Sequence, residues 1–317
     1  MGRIWPQIAD AVDLLRLGAP PWGVSPTTEV ALVVDGRLRA DAVMLIIKAH
    51  LDESDSHKEA PALYLGGYVA SALRWTDLDK SWRKMLRKRE LNCYHTVDHF
   101  SRSGEFRGRS EEWESKLTQR IQELTNRPLF GIAAEVNRAD FAEHYVGQTR
   151  PKKPRLDTEY GLAFRTVMSF LPAYVQTAMR RADFRIHVIL ENSQHYGEAN
   201  RVYEDVRASN ARMRDFFAPL LIPGNPIDYP GLQAADSLIT SFRRHKNALN
   251  LSEPIRGADP RTTFTAARRV RRCPLFHLIV DAESMQRIKS DLIELPERKR
   301  LAYLAEKVRR EASSSEE

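Results

Sequence analysis

MLIIKAHLDES, residues 44–54, decides the fold: an apolar run interrupted only by Lys48 and His50 closes on Asp52, Glu53 and Ser54. With Val43 before it, the run has the length and composition of a buried strand, predicted over 43–52. Side chains alternate along a strand, so Asp52 shares a face with His50 and Ser54 while Glu53 points the other way. Working outward, further strands are predicted at 62–71 (ALYLGGYVAS), 129–137 (LFGIAAEVN), 184–191 (FRIHVILE) and 275–280. Helices are predicted from about Asp77 to Arg89 and from Ser110 to Thr125. Asp157 or Thr158 caps a long helix on which Leu162, Phe164, Val167, Met168, Leu171, Tyr174, Val175, Ala178 and Met179 recur at helical steps, with a kink at Pro172. Two helices follow the fourth strand, the second at 231–247.

A meander of strands followed by strand–helix alternation predicts an α/β fold, a mixed β-sheet flanked by helices, with a helical insertion after the second strand. Residues 43–250 form its domain. Residues 251–312 read as a basic C-terminal strand–helix extension, with Pro254, Pro260, the arginine-rich run Thr265–Arg272 and helices at about 283–293 and 297–311. Residues 313–317 read as a disordered tail. Two readings of 1–42 stay open: a stretch upstream of a start at Met44, or a short helix plus an accessory hairpin around Asp35-Gly36.

The 317 residues include 29% charged and 42% hydrophobic residues, a globular composition that excludes wholesale disorder. Lys plus Arg number 49 against 42 Asp plus Glu, a formal charge of +7 that favours polyanionic partners such as DNA or RNA. Cys93 and Cys273 are far apart, which excludes a disulfide-stapled scaffold and makes the cytoplasm the expected compartment. No apolar run approaches the roughly 20 residues of a membrane span.

The chemistry lies in acids at the ends of apolar strands. Asp52 and Glu53 close the first, Glu191 closes FRIHVILE, and Asp236 sits in GLQAADSLITSF beside the small Ala234 and Ala235, which predict close packing of its helix. Clustered carboxylates repel unless a cation binds them, so convergence of these acids implies a metal. Each has a plain structural reading too: Asp52 as a turn residue, Glu191 as a solvated strand end, Asp236 as a solvated helical acid.

LDESDSHKEAPALYLGGYVAS at 51–71, the histidine of CYHTVDHF (His95), VILEN at 188–192 and PGLQAADSL at 230–238 occur in one order. In these motifs residues 43–250 resemble the family grouped as domain of unknown function 3800. The resemblance implies a ribonuclease-H-like fold. It implies Asp52, Glu191 and Asp236 as ligands of Mg²⁺ or Mn²⁺, with Glu53, His95 and Gln233 as further catalytic candidates. Two positions depart from the pattern: Asp55 stands where Gly is usual, and Glu191 where Asp is common. The implied reaction is hydrolysis of a phosphodiester by ions roughly 4 Å apart that activate water and stabilise the leaving oxygen. Gln233, one turn before Asp236, either orients that carboxylate or contacts phosphate.

His95 reads as a proton donor, a phosphate contact or a structural residue, with Asp98 one turn on to orient it. Cys93, His95 and His99 lack the fourth ligand and paired spacings of a zinc site. His50 and His187 share faces with Asp52 and Glu191. Basic clusters lie at Arg83, Lys84, Arg87, Lys88 and Arg89, at Lys152, Lys153 and Arg155, and at Arg268–Arg272. Arg243 recurs on the Asp236 face and, with Arg244 and Lys246, is the candidate nucleic-acid contact. A divalent-metal-dependent nuclease or phosphodiesterase is therefore expected. The alternatives are a non-catalytic nucleic-acid-binding or protein-interaction module of the same fold, and hydrolysis of a small phosphoester.

Overall fold

Along the 44–54 stretch Leu45, Ile47, Ala49 and Leu51 are buried on one side and His50 and Asp52 on the other, so this strand is covered on both faces. The structure, a computed structural model, describes residues 33–34, 37–38, 45–54, 60–146, 156–181, 183–245 and 273–294. In chain order come β1 (Val33–Val34), β2 (Arg37–Leu38), β3 (Leu45–Ser54), β4 (Ala62–Ser71), α1 (Ala72–Arg89), α2 (Thr96–Ser101) and α3 (Glu111–Thr125). Then follow β5 (Phe130–Asn137), α4 (Glu159–Met179), β6 (Phe184–Glu191), α5 (Tyr196–Ala208), α6 (Ala211–Phe216), β7 (Ile222–Gly224), α7 (Pro230–His245), β8 (Leu275–Val280) and α8 (282–294).

Six strands form one mixed sheet in the order β7-β6-β3-β4-β5-β8. β3, β4 and β5 pair antiparallel, while β6 runs parallel to β3, β7 to β6 and β8 to β5. The fold is thus α/β, a mixed sheet with helices on both faces. One core packs the Leu45–Leu51 face of β3 against α4, α5, α6 and α8; the other packs Tyr64, Tyr68 and Ala70 of β4 against α1, α3 and α7. β1 and β2 pair antiparallel, Val33 with Leu38 and Val34 with Arg37, as the hairpin reading of this stretch expects.

Several boundaries differ from the predicted ones for local reasons. β3 runs on through Glu53 and Ser54, so both acids belong to the strand. α1 starts directly after β4 because Ser71 caps it, its hydroxyl accepting from Arg74 N at 3.4 Å. α4 continues through Pro172, and every residue from Tyr160 to Met168 is buried, so its apolar spacing marks all-round burial between sheet and α5. α2, α6 and β7 had no legible signal, being six, six and three residues long. Asp55, Lys152, Lys153, Arg155, Lys246, Thr265–Arg272, the 297–311 helix, the terminal tail and the readings of residues 1–32 and Met44 lie outside the described residues. Among the described residues no helix is long and apolar enough to cross a membrane.

What positions the site is the seat of α7 on β3 and β4. Ala234 and Ala235 are fully buried there, as their size predicts. A Cβ on Gly231 would stand 2.6 Å from the His50 ring, so the helix approaches as closely as glycine permits. His50 in turn stacks edge-on against Trp75, with centroids 4.2 Å apart. Trp75 Nε1 donates to the Lys48 carbonyl at 2.8 Å. Burial holds His50 neutral, its pKa lowered to about 3, with the charge of Lys48 adding to the effect.

Candidate functional site

β3 and β6 run side by side with Leu51 opposite Leu190, and one residue further each strand presents an acid, Asp52 and Glu191. Asp52, like His50, faces α7; so does Glu191, because Val188 and Leu190 point into the opposite core. α7 crosses this strand edge and brings Asp236. The Asp236 carboxylate is fixed by two donors, Thr96 N to Oδ2 at 2.8 Å and Thr240 Oγ1 to Oδ1 at 3.1 Å.

The three acids act on one another. Burial pushes the Asp52 carboxyl well above the usual carboxylate range, and the charges of Asp236, Glu53 and Glu191 push it further, against one hydrogen bond from Glu53 N at 2.9 Å. Glu191 is raised by burial and then by Asp236, while a hydrogen bond with Asp52 and the charge of His95 oppose the shift. Glu53 is raised to about 7 by burial and the charge of Glu191, although its face is the opposite one. Among the described residues no Lys or Arg forms an ion pair with any of these four carboxyls. None of the described His, Cys, Asp and Glu side chains gather in threes in ready ion-holding geometry; the acids share one field without closing on one point. As a donor set, Asp52, Glu191 and Asp236 fit a hard divalent cation: they are all oxygen, mutually repelling and, among the described residues, ion-paired to no Lys or Arg.

His95 is exposed at the N-terminus of α2, with its Nδ1 3.2 Å from Asp98 Oδ2. Asp98 is itself held by the Ser103 hydroxyl at 2.8 Å, and its carboxyl lies below the usual range through that bond and through His95. Cys93 and His99 turn to other partners. The Cys93 thiol lies against the Tyr94 carbonyl and is pushed up to about 11, by burial first and then by Glu105, Asp236 and Glu191. His99 is buried with Nδ1 3.0 Å from the Tyr94 hydroxyl. No zinc-like trio forms from these three.

Gln233 is buried, and its amide is occupied. Oε1 accepts from Trp82 Nε1 at 2.9 Å and from Tyr94 N at 2.8 Å, and Nε2 donates to the Pro226 carbonyl at 2.7 Å. It therefore clamps the segment from which Thr96 reaches Asp236, and orients that carboxylate at one remove. Of the basic residues, Arg83 is committed to the Ile227 and Asp228 carbonyls at 3.2 and 2.7 Å, bracing the turn before α7. Arg244 is exposed, its guanidinium 4.2 Å over the Phe100 ring, and Arg243 is half-buried. His187 is half-buried, and desolvation lowers its pKa.

Two site residues escaped the sequence. Thr96 contributes a backbone N–H, which leaves no mark in residue type. Tyr160, in the first turn of α4, is fully buried with an unpartnered hydroxyl, and the charges of Glu53, Asp52 and Glu198 act on that hydroxyl after burial in raising its pKa. Its one legible hint was a polar tip beside the helix cap at Thr158. No protein-family model, curated protein or solved structure matches this chain.

Proposed function

We propose that the chain is a divalent-metal-dependent nuclease or phosphodiesterase on a ribonuclease-H-like core. The sheet order supports that core: an antiparallel trio, β3, β4 and β5, continued on the β3 side by parallel β6 and β7, with acids at the ends of β3 and β6. The observation that carries the reading is Asp52, buried among Glu53, Glu191 and Asp236 with no Lys or Arg ion-paired to it among the described residues. A buried carboxylate cluster is costly unless a cation joins it.

Asp52, Glu191 and Asp236 would hold Mg²⁺ or Mn²⁺, which supplies Lewis acidity to a phosphate oxygen and lowers the pKa of water. The chain's own residues do the rest. Thr96 N and Thr240 Oγ1 keep Asp236 in one orientation. His95, held at Nδ1 by Asp98, presents Nε2 to give a proton to the leaving oxygen. Arg244 and the net charge of +7 attract a phosphate backbone.

The test is cleavage of single- and double-stranded DNA, RNA and hybrid with Mg²⁺ or Mn²⁺, by wild type and by Asp52→Asn and Asp236→Asn. Cleavage that needs the cation and both acids is the expected result; no cleavage of any substrate overturns it. A second reading, nucleic-acid binding or protein interaction without turnover, draws on the lack of ready ion-holding geometry among the described acids. Binding of nucleic acid that a chelator leaves unchanged, without cleavage, would select it.

A further inference from the structure

A cavity of about 480 Å³ lies beside the acids, between α2, α3 and α7. Its floor is apolar, made by the buried Leu238 and Phe242 of α7 and Leu275 of β8, and the 41% exposed Phe100 of α2 stands at its rim. Thr118, Gln122 and Asn126 line it from the α3 side, and Ser237 and Ser241 from α7; their side chains hydrogen-bond to no other described residue. Two contacts tie this cavity to the acids, because α2 lies along α7. At its start Thr96 N donates to Asp236 Oδ2 at 2.8 Å, and at its end the Phe100 ring lies 4.2 Å from the exposed Arg244 guanidinium. Phe100 is one helical turn beyond Thr96, about 6 Å along the axis. Ser237 directly follows Asp236. A strand whose phosphate sits at the acids therefore reaches the cavity within about two nucleotides, at roughly 3.4 Å each.

An exposed aromatic ring beside a guanidinium is a surface on which an unpaired base stacks, and Arg244 with the net charge of +7 complements the phosphates on either side of that base. We infer that the cavity receives an unpaired nucleobase of the strand held at the acids, stacked on Phe100, so that the site takes single-stranded nucleic acid in preference to a duplex. The phosphate's place at Asp52 and Asp236 rests on the phosphodiesterase reading. In a duplex each base is already stacked and paired, and seating one between α2, α3 and α7 requires breaking both interactions. The free hydroxyls and amides both donate and accept, so they match a base edge without selecting one base.

The experiment takes one oligonucleotide sequence, as DNA and as RNA, alone and annealed to its complement. Binding is read by fluorescence anisotropy in Ca²⁺ and cleavage in Mn²⁺, for wild type, Phe100→Leu and Ser241→Leu. Phe100→Leu keeps an apolar side chain at an exposed position and removes the flat ring. Ser241→Leu fills the cavity and leaves Phe100 and Arg244 in place, and unchanged melting temperatures verify both folds. The expected result is a single strand bound at least about tenfold more tightly than its duplex, with either substitution weakening single-strand binding about tenfold. Duplex binding and the salt dependence should stay as they are, because a stacked base, unlike a phosphate, releases no counterions. Duplex bound and cut as well as single strand, or a single-strand preference that neither substitution reduces, overturns the inference and leaves the hydrolytic reading intact. A single-strand preference that both substitutions reduce, with no cleavage, sinks the hydrolytic reading and keeps the base pocket. Equal binding of both forms by every variant, without cleavage, sinks both.

Discussion

Asp52 and Glu191 end neighbouring parallel strands one residue past the paired Leu51 and Leu190, and the charge of Glu191 helps push the buried Asp52 carboxyl up. Two buried carboxyls side by side repel once both are ionised, so this edge carries a pH dependence with a definite sign. A carboxyl whose folded pKa is raised keeps its proton in the native state after the unfolded chain has lost it. Its contribution to stability is complete below the unfolded value near 4.5 and falls as pH rises, for Glu53 until about 7. For Glu53 the shift corresponds to about 3 kcal/mol as an upper figure. Chelator-treated wild type should lose more stability between pH 5 and pH 8 than Glu53→Gln or Asp52→Asn does. Urea unfolding at the two pH values measures this; parallel pH dependence in wild type and variants would count against a buried acid cluster.

Cation binding should invert that trend. The acids must be deprotonated to hold a hard cation, so Mg²⁺ or Mn²⁺ should raise the melting temperature at pH 8 and much less at pH 5. At a concentration 100 times the dissociation constant the gain is about 2.7 kcal/mol. Asp236→Asn and Glu191→Gln should each remove most of it. A cation effect of equal size in these variants would place binding elsewhere.

The sheet was legible in the sequence, and the closing of the site was not. Strand 62–71 announces itself because burial on both faces demands a nearly unbroken apolar run, and 184–191 because buried Phe184, Ile186 and Val188 alternate with half-buried Arg185 and His187. Asp52 and Glu191 stood out because an acid at the end of such a run contradicts its surroundings, and Asp236 because small Ala234 and Ala235 precede it on its helix. The depth of Asp52 was not, since it comes from α7 lying across the strand, a contact made possible by Gly231 and two alanines. Nor was the work of Gln233: three partners at Trp82, Tyr94 and Pro226 stand far from it in sequence, and residue type alone cannot separate a clamp from a phosphate contact.

That clamp predicts its own failure. Gln233→Leu keeps the volume but strands Trp82 Nε1 and Tyr94 N, at roughly 1–3 kcal/mol for each buried donor left alone. The loss should show as a lower urea midpoint. Because Tyr94 precedes the Thr96 amide that holds Asp236, cation affinity should fall too, although Gln233 touches no acid. Unchanged affinity in a destabilised variant would confine Gln233 to a packing role.

Gly231 tests the same coupling from the helix side. In Gly231→Ala the added methyl would meet the His50 ring 2.6 Å away, and that ring is pinned by Trp75, so α7 must move. Overpacking of this kind costs about 1–3 kcal/mol. Shrinking the partner in the double variant Gly231→Ala, His50→Ala should recover part of the loss and return Asp236 towards the acids, read as regained cation stabilisation.

His95 separates chemistry from stability. Its side chain is 57% exposed and Asp98, its side-chain partner among the described residues, is 45% exposed, so the described core does not depend on it. His95→Ala should therefore change stability by less than about 0.5 kcal/mol. If the ring delivers a proton to the leaving oxygen, cleavage in Mn²⁺ falls by about 100-fold, with the alkaline limb of the rate profile lost and affinity for uncleaved substrate in Ca²⁺ retained. A matched fall in affinity and rate would instead make His95 a phosphate contact, since a group that binds ground state and transition state alike weakens both together.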